Sequence, residues 1–113
     1  MNSNRPDITD EDIGMRTFQI RKEKAAERAL DRLRAGLKDN WAIFSQKDVA
    51  DLEWILGELW AFEKRTEWDD LHFSKLTPDD VVRILELTRE LRKEHRDTVE
   101  TFEKVAEIVR NRD

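Results

Sequence analysis

Three glycines and two prolines are all that punctuate the 113 residues. So few breakers leave room for only a handful of long elements. Between them the chain is rich in Glu, Lys, Arg, Leu and Ala, the residues that lose least on entering a helix. There is no Tyr, and nowhere do Val and Ile alternate with polar residues as a half-buried strand requires. The sequence predicts an all-α fold.

Charged residues make up 42% of the chain and mean hydropathy is -0.82, values that border on disorder. Four Trp, five Phe and helically spaced Leu, Ile and Val argue for a packed core instead. The length suits one domain. Residues 1–14 read as a flexible or packed N-terminal arm and 15–113 as a single helical-bundle domain. With no cysteine, disulfides, thiolate catalysis and Cys-based zinc sites are excluded. No apolar run reaches the length of a membrane span, and the N-terminus lacks a basic-then-apolar leader. The expected setting is the cytoplasm.

Helix ends are marked by their caps. A first helix runs from about Met15 to Lys38, with Met15, Phe18, Ala25, Ala26, Ala29, Leu30, Leu33 and Leu37 on one face and Gly36 near its end. Ser45 caps the second, with Asp48 three residues on completing a capping box, and this helix continues to about Thr66. Thr77, Pro78, Asp79 and Asp80 open the third. From Pro78 to about Arg110 nothing interrupts it, which gives about 50 Å at 1.5 Å per residue. The expected architecture is an antiparallel three-helix bundle with a long, overhanging C-terminal helix. Val99, Phe102, Val105, Ala106 and Val109 continue the apolar stripe along the overhang. Its cover is the arm, through Ile8 and Ile13, or a second copy of the chain, so a homodimer through the third helix is expected.

The four tryptophans are unevenly placed, and three fall between Leu52 and Trp68. On a helical wheel Val49, Leu52, Ile55, Leu56, Leu59, Trp60 and Phe62 share one arc, which makes Trp60 a core anchor. Trp54 projects on the far side among Ala50, Gly57 and Ala61. Trp68 joins that stripe if the helix extends beyond Thr66. A large ring among small residues is a shape that receives another helix or loop. Trp is also the residue type most enriched at binding hot spots. Trp54, Ala50, Gly57, Ala61 and Trp68 are therefore the candidate partner-binding residues, although the arm or the connection after Trp68 would also fill such a face.

Charge is segregated. From Arg16 to Lys38 eight basic residues outnumber three acidic ones, whereas from Asp39 to Asp80 eleven acidic residues outnumber four basic ones. Arg21, Lys24, Arg28 and Arg32 form one stripe beside the first helix's apolar face. It can pair with acidic partners or track phosphates, but no helix-turn-helix or aromatic RNA-binding motif accompanies it. The acidic second helix is ill suited to nucleic acid, and the net charge is -5. On the third helix Glu86, Glu90, Glu94, Arg89, Lys93, Arg92 and Arg96 read as ordinary surface pairing.

Chemistry is hard to find. His95 sits mid-stripe on the third helix near Thr88 and Thr98, as a buried, hydrogen-bonded histidine would, or as part of a less buried band where the long helix leaves the bundle. Asp69, Asp70, His72 and Ser74 crowd a connection, where caps and turns account for them better than a triad or a metal site. Glu63, Glu67 and Asp70 lack the second acidic helix of a two-carboxylate Mg²⁺ site. No cofactor pattern is present, and a dimeric helical mutase using first-helix cations is the one enzymatic possibility. The expected function is a non-enzymatic protein–protein interaction module: an adaptor, assembly factor or inhibitor acting through helix surfaces. The alternative is a nucleic-acid-associated regulator, binding DNA or RNA through the basic stripe or inhibiting a nucleic-acid enzyme through the acidic middle.

Overall fold

The computed structural model describes residues 10–62, 72–94 and 98–110, with side chains over 14–62, 72–93 and 99–110. Among these residues there are four packed α-helices and no strand. They are α1 (Asp10–Leu37), α2 (Gln46–Phe62), α3 (Pro78–Glu94) and α4 (Thr98–Arg110), with short 3-10 segments at Lys38–Ile43 and Phe73–Lys75. The principal extents are 57 × 30 × 27 Å.

α1 begins at Asp10 rather than near Met15, so part of the expected arm is helical. Its apolar face packs from Phe18 onward, whereas Met15, placed on that face by its spacing, is 65% exposed. The helix ends at Leu37, followed by Lys38 with a left-handed φ of 53°. That conformation ends a helix at the position where glycine is usual. Gly36 serves a different purpose. A Cβ there would lie 2.2 Å from the Ser74 carbonyl oxygen, so its hydrogen admits the 72–76 segment against the end of α1 and helps bury Phe73 and Leu76.

Both expected helix starts are present. The Ser45 N–H donates to Asp48 Oδ2 (2.9 Å) and the Asp48 N–H donates to Ser45 Oγ (3.1 Å). Thr77 and Asp80 exchange the same two bonds at 2.9 and 3.2 Å. Each box satisfies two N–H groups that a helix start would otherwise leave unpaired.

α1 and α2 are antiparallel, as expected: Phe18 meets Trp60 with ring centroids 5.6 Å apart, Lys22 pairs with Glu58, and Ala26 faces Gly57. The second pair is different. Arg89 reaches Asp48 and Asp51, while Arg92 reaches Asp51 and Trp54, so residue numbers rise together on α2 and α3. The two helices therefore run in the same sense at this contact. The placement of Ser74 agrees, because by that residue the chain is back at the end of α1 from which α2 departs. The antiparallel expectation is not met for this pair, and the fifteen residues between Phe62 and Pro78 are more than enough to span the length of α2.

The single C-terminal helix is replaced by two, α3 ending at Glu94 and α4 starting at Thr98. The reason is burial. α4 packs on α3 and α2, Phe102 meets Phe62 with centroids 5.1 Å apart, and Val105, Ala106 and Val109 are buried. Each such side chain removed from water is worth about 1–3 kcal/mol, more than the few helical bonds lost at a break. The apolar overhang that would call for a second copy is covered by the chain itself, except Val99, which is 52% exposed.

α2 is the central element, touching α1, α3 and α4. Its Leu52, Ile55, Leu56, Leu59 and Trp60 join Leu33 of α1, Ile84 of α3 and Val105 of α4 in one core. Thr88 is buried there without penalty, because its hydroxyl donates to the Ile84 carbonyl at 2.7 Å.

Candidate functional site

Asp51 is the one buried charge among the described residues, at 7% exposure. It lies one turn beyond Asp48 on the α3 side of α2, and α3 presents Arg89 and Arg92 at the same spacing of three. Arg92 Nη1 donates to Asp51 Oδ1 at 2.9 Å and Arg89 Nε to Asp51 Oδ2 at 3.4 Å, while Arg89 Nη2 donates to Asp48 Oδ1. A buried carboxylate with two guanidinium partners is compensated, and both arginines stay about half exposed. The Ser45 backbone N–H, more than the Arg89 guanidinium, holds the Asp48 carboxyl below its ordinary value; partial burial opposes them. Arg89 and Arg92 thus tie α3 to α2 rather than pairing along their own helix. The matched Asp-x-x-Asp and Arg-x-x-Arg spacings were the sequence signal for this contact.

This network fixes Trp54. The Arg92 guanidinium carbon sits 4.7 Å from the centroid of the Trp54 ring. The arginine is held in turn by Asp51, so one side of the indole is fixed by α3. Trp54 is half-buried, outside the fully buried core.

Trp54 also lines a groove of about 370 Å³ between α1 and α2. α2 contributes Ala50, Glu53, Trp54, Gly57 and Glu58, and α1 contributes Gln19, Lys22, Glu23 and Ala26. Gly57 and Ala26 make the groove shallow and let the two helices approach. A Cβ at Gly57 would stand 3.3 Å from Lys22 Cγ and 3.7 Å from Ala26 Cβ. The Lys22 stem lies over Gly57 and its ammonium pairs with Glu58. Gln19 donates to Glu23 at 3.1 Å along α1.

Three of the five candidate partner-binding residues, Trp54, Ala50 and Gly57, thus line one groove. Ala61 is half-buried against the core and is not part of the lining; Trp68 lies outside the described residues. The basic stripe stays apart from the groove, with Arg21, Lys24 and Arg28 exposed and Arg32 half-buried. Sequence reasoning missed the α1 half of the groove, because nothing local says which residues of one helix will face Trp54 of another.

His95, Asp69, Asp70, Glu63 and Glu67 all lie outside the described residues. His72 is exposed and its carbonyl accepts the Lys75 N–H at 3.0 Å, closing the 3-10 turn. Among the described residues no cluster of His, Asp or Glu has the arrangement of a metal site, and no helix is long and apolar enough to cross a membrane. Comparison with protein families, with curated proteins and with solved structures finds no match for this chain.

Proposed function

We propose that this chain is a non-enzymatic protein–protein interaction module, an adaptor, assembly factor or inhibitor, whose binding surface is the α1–α2 groove around Trp54. The supporting observation is Trp54 itself. A large indole is held in place by Arg92 and lines a groove beside Ala50 and Gly57. An anchored aromatic beside a shallow concavity is the usual make-up of a binding hot spot. Preorganisation by Arg92 and Asp51 lowers the ordering cost that a mobile side chain would carry into a complex.

The homodimer expected through the third helix loses its main ground, since Val105, Ala106 and Val109 are buried by the chain's own helices. A heterologous partner fits the groove better. The test is capture from source cells with two baits, the natural chain and Trp54→Ala. A protein retained by the first and lost from the second, with circular dichroism unchanged, supports the reading; identical captures refute it.

A second reading, nucleic-acid association, has the exposed cations Arg21, Lys24 and Arg28 in its favour. It predicts a low-salt mobility shift that falls steeply with added salt and with loss of these residues.

A further inference from the structure

The groove has a charge as well as a shape. Glu23, Glu53 and Glu58 stand against Lys22 alone in its lining, a balance of -2. Lys22 and Glu58 are taken up with each other. Among the described residues Glu23 is bonded only by the neutral Gln19 amide, and Glu53 has no ion pair. The excess negative charge therefore rests on two carboxylates, one on each wall of the groove that Trp54 also lines. Such a site suits a cation on an aliphatic stem: the stem lies on the indole and the small residues, and the head meets the carboxylates. The groove already binds one such group, since the Lys22 stem crosses Gly57 to bring its ammonium to Glu58.

We infer that the α1–α2 groove docks a basic helical segment of a different protein, taking one or two of its Lys or Arg side chains between Glu23, Glu53 and Trp54. This rests on the interaction reading above and adds the chemistry of the partner. Charge complementarity argues for it, and the arrangement of α1 argues against a second copy. Arg21, Lys24, Arg28 and Arg32 lie about 180° around α1 from Gln19, Lys22, Glu23 and Ala26, at 100° per residue. A copy that inserted its basic stripe would leave its own groove facing away. Such head-to-tail contacts grow into open chains rather than closing as a pair. A bound phosphate backbone is disfavoured by the same carboxylates.

The experiment titrates the full chain with an amphipathic Ala/Lys helical peptide, its Ala/Arg counterpart and an Ala/Glu control, read by calorimetry and by the indole N–H resonance of Trp54. The basic peptides are expected to bind and shift Trp54, and the acidic one to do neither. Glu23→Gln with Glu53→Gln should weaken binding about tenfold, from two exposed ion pairs lost. Glu103→Gln with Glu107→Gln on α4, the same change in net charge, should leave it within about twofold. Lys22→Met keeps the stem over Gly57 and releases Glu58, so it should tighten binding about threefold. Equal weakening by the two double variants would overturn the inference, because general acidity would then be the cause. So would no binding of either basic peptide, preference for the acidic peptide, or concentration-dependent growth of the free chain into larger species. If the cellular partner depends on Trp54 but not on Glu23 and Glu53, the interaction reading stands and the basic-segment inference falls.

Discussion

The Arg92 guanidinium carbon lies 4.7 Å from the centre of the Trp54 ring while its Nη1 donates to Asp51 at 2.9 Å. One α3 side chain thus neutralises the buried charge of α2 and holds the indole at the groove. A Lys at this position would keep the charge and lose the planar stack. In a double-mutant cycle of Arg92→Lys and Trp54→Ala, urea unfolding should give a coupling of about 0.5–1 kcal/mol. A coupling near zero would mean that the contact places neither side chain.

The two described helix glycines that meet neighbours should respond in opposite ways. At Gly36 a methyl group would fall 2.2 Å from a backbone oxygen, which the 72–76 segment can relieve only by moving. Gly36→Ala should cost about 2–3 kcal/mol by urea unfolding. At Gly57 the nearest atom is 3.3 Å away on a flexible lysine, and helix propensity favours alanine. Gly57→Ala should therefore be neutral or stabilising by up to about 1 kcal/mol. A large loss at Gly57 would show that the Lys22 stem cannot give way.

Asp48 makes stability depend on pH. Its folded pKa is lowered, first by the Ser45 N–H and further by Arg89. The stabilisation is therefore complete above the ordinary value of 3.8 and is lost as pH falls through the lowered folded value. Thermal midpoints measured from about pH 6 to pH 3 should fall less steeply for Asp48→Asn than for the natural chain. Parallel curves would remove Asp48 from the acid transition.

Which of these features could be read from the sequence follows from their range. The capping boxes at Ser45–Asp48 and Thr77–Asp80 are complete within four residues, so spacing alone revealed them. Trp60 in the core and Trp54 off it followed from the 3.6-residue period of one helix. The break between α3 and α4 did not, because no Gly or Pro marks it and its cause is the burial of Val105 and Val109 by other helices. Asp97 with Glu100 three residues on has the spacing of a capped start, a faint sign that a second helix begins there. The shared direction of α2 and α3 depends on the path of a fifteen-residue connection, which no local pattern encodes. Half of the groove was legible for the same reason: Ala50, Trp54 and Gly57 share a helix, while Lys22 and Glu23 arrive from another.

In the proposed function Trp54 is a binding residue held in place by the fold, and not part of what holds the fold together. The most direct measurement pairs the denaturation curve of Trp54→Ala with its affinity for the basic helical peptide. Trp54→Ala should keep its helical dichroism, lose no more than about 1–2 kcal/mol in stability and bind at least about tenfold more weakly. A variant that unfolds, or one that binds the peptide as tightly as the natural chain, would contradict it.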